Sequence, residues 1–171
     1  MILPKERDPR FITVRRGGTL TDADHQLLAL WAAACAEHVL HLFEQVNADD
    51  ERPRQAIDLT RAWVRGEIPM KQAHKAAFVA NAAAKGMPEA ARFAALAAGQ
   101  AVAVAHVAAH ELGAAAYAIR AVRESVGDGE KDTAGRQECQ WQREQLPDEI
   151  RELVLDDQKQ RNHLCWYAFD C

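Results

Sequence analysis

Aromatic residues are scarce in this chain. Four Trp, two Tyr and five Phe make up only 6% of 171 residues. Sheet cores draw on aromatic and β-branched side chains, so the scarcity argues against a β fold. Alanine, the best helix former, supplies much of the apolar share instead. A cationic excess is also missing: 21 Lys and Arg face 25 Asp and Glu, for a formal net charge of −4. Nucleic-acid binders normally carry a basic face, so no nucleic-acid partner is expected. The most apolar region, about 90 to 122, is interrupted by Arg92, Gln100, His106, His110, Glu111 and Arg120. It therefore predicts packed helices and no membrane span. Residues Met1 to Glu6 hold no apolar h-region, so no signal peptide is expected. The four cysteines, Cys35, Cys139, Cys165 and Cys171, form no Cys-x-x-Cys and stand at no zinc-finger spacing to a histidine pair. No Gly-x-x-x-x-Gly-Lys phosphate loop and no Gly-x-Ser-x-Gly elbow occur. These absences point to a soluble protein of a reducing cytoplasm, without a cofactor.

What is present is helical punctuation. A chain of 171 residues suits one domain with its own core. Residues 1 to 20 are charged and irregular, with a short β-like run at Phe11–Val14 followed by Gly17-Gly18. They predict an extended arm lying against a bundle. Thr21 to Asp24 offer N-caps. From Leu27 to Val46 apolar residues recur at three- and four-residue steps, the mark of an amphipathic helix. Pro53, Pro88 and Pro147 suit helix starts, and Gly66 and Gly86 suit stops. The helical pattern from Pro88 to about Val126 would span roughly 55 to 60 Å as one helix, too long for this domain. A break between Ala108 and Gly113 is predicted, giving two antiparallel helices. The expectation is an all-α, single-domain bundle of about six helices arranged as α-hairpins, with a C-terminal tail over 157–171. The aromatic cluster Trp166-Tyr167-Ala168-Phe169 reads as a docking segment.

Four groups of residues could carry chemistry or contacts. His106 and His110 stand four apart, which would place both on one side of one helix. The zincin pattern needs His-Glu-x-x-His and di-iron bundles need Glu-x-x-His. Neither occurs, so hydrogen-bonded imidazoles at a helix junction are expected, and no metal. Glu37, His38 and His41 form a polar group on the first helix. A carboxylate beside an imidazole can do general acid–base work, so a metal-binding or hydrolytic enzyme built on His106, His110 and Glu37 is the alternative to a binding protein. Asp49-Asp50-Glu51-Arg52-Pro53-Arg54 is the most distinctive string: a partner-contact loop carrying Arg52 and Arg54, or a helix start whose guanidiniums pair carboxylates. A buried or half-buried pair between one of them and another helix is expected. Trp31 and Trp63 lie on apolar faces and read as core.

Several strings are familiar together: residues 9–20, Leu30–Glu37, Asp50–Ile57, Arg61–Ile68, Ala105–His110, Gly113–Ala118, Trp141-Gln142 and Leu146-Pro147. In combination they resemble the all-α immunity protein family that is fifth in the numbered immunity series of bacterial polymorphic toxin systems. The resemblance covers about residues 9 to 155. It implies a cytoplasmic antidote that binds a cognate toxin domain and blocks it. It brings no catalytic residues. Glu37, Arg52, Arg54, His106 and His110 are the candidate binding residues.

Overall fold

The computed structural model describes residues 3–171. Among them the chain forms seven α-helices and no strand. Each helix boundary has a local cause. Helix α1 (Asp22–Glu44) opens on Thr21, whose Oγ1 accepts the Asp24 backbone N–H at 3.0 Å. Helix α2 (Arg52–Val64) carries Pro53 in its first turn, where a missing N–H costs nothing. Helices α3 (Met70–Ala83), α4 (Glu89–Ala103) and α7 (Asp148–Arg161) each follow a proline, at Pro69, Pro88 and Pro147. Gly66 and Gly86 close α2 and α3 in the left-handed region, at φ 73° and 77°. Helices α5 (Glu111–Glu124) and α6 (Lys131–Glu144) complete the set.

Helix α4 is the centre of the bundle and packs on α1, α2, α3 and α5. Its buried residues are small apart from Phe93 and Val102: Ala91, Ala94, Ala95, Ala97, Ala98, Gly99, Ala101 and Ala103. Small side chains let the backbones of four neighbours approach one helix closely. An alanine buries little area, so the larger side chains carry most of the transfer energy. Leu28, Phe43, Ile57, Phe93, Leu112, Ile119 and Ile150 are fully buried, each contributing about 1.5 to 3 kcal/mol. Helix α1 is long and apolar enough to cross a membrane by length and composition, but 56% of its most apolar window is buried inside the bundle.

The long apolar stretch breaks, as its length predicts, but earlier. Helix α4 ends at Ala103, and the chain turns through Val104–Val107 and a 3-10 turn at Ala108–His110 before α5 begins. His106 and His110 therefore do not share a helical face. His106 lies in the turn and His110 precedes the first residue of α5. Gly113 belongs to this junction: a Cβ there would overlap the side chain of Gln100 on α4.

The β-like run at Phe11–Val14 is not a strand. Two 3-10 turns, Pro9–Phe11 and Val14–Arg16, flank a single bridge between Thr13 and Leu20. Phe11 and Leu20 are buried and pin the arm to the bundle. At the other end, α7 runs to Arg161, and a 3-10 turn covers Asn162–Cys165. The aromatic tail docks on its own chain. Phe169 is buried. The Trp166 ring lies under the Arg120 guanidinium at 4.4 Å and beside Tyr117 at 5.3 Å. Trp166 and Tyr167 both take left-handed backbone angles, φ 56°, which non-glycine residues hold only when their surroundings impose it. Those surroundings include Arg143, which donates to the carbonyls of Phe169 and Cys171 at 3.0 and 2.7 Å. They also include a disulfide between Cys139 of α6 and Cys171. Nothing in the cysteine spacing pairs these two. Cys35 and Cys165 are free and buried.

Candidate functional site

The residues singled out in the sequence fall into two separate places. Glu37 lies on α1 and holds Arg61 of α2 with both oxygens, at 2.9 and 2.6 Å. The guanidinium keeps the Glu37 carboxyl below its usual range. Its neighbour His38 donates from Nδ1 to Glu138 of α6 at 2.8 Å and stacks on Trp141 at 3.6 Å between ring centres. His41 donates to the His38 carbonyl. Arg54 reaches Glu44 of α1 at 2.6 Å. Arg52 stays in its own loop, on Asp50. The expected inter-helix pair thus exists for Arg54 and not for Arg52. At 49% and 34% side-chain exposure the Arg54–Glu44 pair is a surface one, worth at most about 1 kcal/mol.

His106 and His110 lie elsewhere. His25, near the start of α1, donates from Nε2 to the carbonyl of Val104 at 2.7 Å. The 104–110 turn therefore sits at the N-terminal end of α1. Glu37 is twelve residues further along that helix, about 18 Å at 1.5 Å per residue. With Glu37 engaged by Arg61, the set of His106, His110 and a helix-one carboxylate is not assembled. Among the described residues no group of three or more His, Cys, Asp or Glu is arranged to hold a metal ion.

The turn instead forms one wall of a large cavity, about 1110 Å³. The arm supplies a second wall with Arg7, Phe11, Ile12 and Arg16. Trp63 and Met70 come from α2 and α3. Asp157 and Arg161 of α7, with His163 and Leu164 beyond it, close the remaining side. Trp63 is thus a cavity residue rather than a fully buried core residue; its ring centre lies 4.9 Å from that of His25.

Behind this wall lies a buried charge cluster. Glu111, the first residue of α5, is fully buried, and Asp157 and Arg161 are nearly so. Arg161 holds Asp157 through Nε at 2.7 Å and again through Nη2. The same Nη2 donates to both Glu111 oxygens, at 3.1 and 3.3 Å. Nη1 donates to the Ala109 carbonyl at 2.9 Å. Burial drives the Glu111 carboxyl well above its usual range; Arg161 opposes this and the hydrogen-bonded Asp157 adds to it. The cluster thus sets two buried carboxyl groups against one guanidinium. Asp157 and Arg161 are visible in the sequence as an i,i+4 helix pair, but nothing signals Glu111, fifty residues away.

Burial lowers the pKa of three imidazoles in this region, His25, His106 and His110. His110 is largely buried; its Nδ1–H donates to Gln100 Oε1 at 2.8 Å. Burial, helped by the nearby His106 and Arg161, pushes its pKa down to about 4. His106 stacks on His74 at 4.1 Å. Its Nδ1 is buried without a hydrogen-bond partner among the described residues; of the two imidazoles expected to bond to protein groups or buried water, His110 meets a protein group. Burial, His74, Arg16 and Arg7 lower its pKa. His25 is lowered as well, first by burial.

The sign of the resulting pH dependence follows. Unfolded His110 takes a proton near pH 6.5, while folded His110 resists until about pH 4. Its stabilising contribution is present above pH 6.5 and lost as pH falls towards 4, by about 3 kcal/mol. His25 and His106 act in the same direction. Urea unfolding should show stability falling between pH 6.5 and 4, and His110→Gln should flatten that fall. An unchanged slope in the variant would refute the assignment to His110.

With the fold and site in place, the chain can be set beside known proteins. Residues 18–149 match the Imm-5 like putative immunity protein family. The chain belongs to that family. The matched span takes in α1 to α6 and only the beginning of α7, so in this Imm-5 like protein most of the arm and the Asp157–Arg161 wall lie outside it. No curated protein and no solved structure matches the chain.

Proposed function

We propose that the chain is an immunity protein that binds a cognate bacterial toxin domain, in the cytoplasm of the cell that makes it, and blocks that domain by covering its surface. The carrying observation is family membership over most of the chain. The chemistry is consistent with it: the carboxylate expected to serve an enzyme, Glu37, is held by Arg61. Inhibition by occupancy needs shape and charge complementarity rather than reacting groups.

The face best suited to a partner is α3. Its sequence holds Lys71 and Lys75 and no acidic residue, and Lys85 follows it. Among the described residues none of the three lysines has an ion-pair partner. Phe78 is 65% exposed and Val79 44%. A groove of about 220 Å³ beside them is lined by Arg52, Leu59, Lys75 and Val79. In a chain of net charge −4, a basic strip around exposed apolar side chains suits a partner patch of the opposite kind, apolar and rimmed by acids.

The test is calorimetric titration of the full chain with a candidate cognate toxin domain. An equimolar complex is expected. Phe78→Glu should weaken it by at least 30-fold, the loss of about 2 kcal/mol that marks an interface anchor, without lowering the melting temperature. No binding by the unsubstituted chain would refute the immunity reading. Equal binding by Phe78→Glu would refute the α3 face alone.

A further inference from the structure

We propose that the cavity beside His106 is a binding site for a small organic anion, a carboxylate or phosphate carried on an apolar body. This stands apart from toxin binding and rests on size, lining and charge.

At about 1110 Å³ the space lies at the upper end of small-molecule pockets, which run from roughly 300 to 1,000 Å³. Its walls include Phe11, Trp63, Met70, Val107 and Leu164, enough apolar surface to cover a chain or ring. Its charge is unbalanced in one direction. Of the carboxylates that line it, Asp8 is held by Arg10 and Asp157 by Arg161. Arg15 is taken by Asp22. Among the described residues Lys5, Arg7 and Arg16 remain without a carboxylate partner, against Glu6 alone. Glu111, Asp157 and Arg161 are engaged with one another in their own buried cluster.

Arg7 and Arg16 line the cavity, close enough to act electrostatically on His106. Three cations lining one apolar space repel one another and focus their field into it. An anion lodged among them relieves that repulsion, and its apolar body covers the walls. The unpartnered Nδ1 of His106 adds a polar group in the same wall whose hydrogen bonding within the protein is incomplete.

Isothermal titration of the full chain, at neutral pH and low salt, tests this with four eight-carbon probes and one short one. Octanoate or octyl phosphate should bind, and the tighter of the two identifies the anionic group. Octylamine and octanol should bind at least tenfold more weakly, as should acetate, which lacks the apolar body. The Arg7→Ala/Arg16→Ala double variant alters two exposed side chains, so its melting temperature should stay unchanged while octanoate affinity falls at least tenfold. Raising the salt should weaken the anions and leave octanol unaffected. The proposal is overturned if neither anion binds, if octylamine or octanol binds as tightly, if acetate matches octanoate, or if the double variant binds the anions as the unsubstituted chain does.

Discussion

Arg161→Ala is expected to lower unfolding free energy by about 3 to 5 kcal/mol, the usual consequence of removing one partner from a buried ion pair. Arg161 is 5% exposed and bridges α7 to α5 and to the 104–110 turn. Without it, Asp157 and Glu111 remain buried side by side with no cation. The Ala109 carbonyl also loses a donor, and an unsatisfied buried polar group costs about 1 to 3 kcal/mol. The loss should grow with pH. A carboxyl whose folded pKa is raised stabilises the fold below its unfolded pKa, and that contribution disappears as pH rises through the folded value. Adding Glu111→Gln should therefore recover part of the deficit, and more at pH 8 than at pH 5. Urea midpoints for the single and double variants at both pH values check this. A loss under 1 kcal/mol for Arg161→Ala would mean that the cluster is not the anchor of α7.

Breaking the Cys139–Cys171 bond should have the next largest effect. It spans 32 residues, and closing a loop of that length stabilises by about 3 to 4 kcal/mol in the chain-entropy account. For a domain of this size that is a fall in melting temperature on the order of 10 °C. Cys171→Ser, or reductant added to the unsubstituted chain, should give the same result. Trp166 should move into a wetter environment as the tail loosens, because the left-handed pair at Trp166 and Tyr167 is held by contacts that the bond fixes in place. A disulfide of this kind persists in an oxidising compartment and opens in a reducing one. In the cytoplasm Arg143 and the Trp166–Arg120 stack would therefore hold the tail alone. A melting temperature insensitive to reductant would contradict this.

The helical frame was legible because its signals are local. Pro53, Pro88 and Pro147 open helices, Gly66 and Gly86 close them, and the Leu27–Val46 stripe runs along α1. The break after α4 was legible in existence, from length, but not in place. Residues 101–105 are all Ala and Val, and 101–107 contain no proline or glycine to mark the turn, so His106 and His110 read as partners on one helix. Arg54 found a carboxylate on α1, whereas Arg52 settled on Asp50, two residues away, and only the folded loop geometry chooses between such partners. The cavity was not legible at all. It arises where the arm, the ends of α2 and α4, and the end of α7 converge. No local pattern encodes that meeting, nor the joining of Glu111 to Asp157 and Arg161.

The central claim is that this chain neutralises a toxin by binding it. It is tested most directly by growth of bacteria that express a candidate cognate toxin domain under induction, with and without this chain. The account predicts that the full chain restores growth, that Phe78→Glu expressed at the same soluble level does not, and that Glu37→Gln, which alters the α1–α2 ion pair with Arg61, still protects. Growth arrest that persists in the presence of the folded, unsubstituted chain would contradict it.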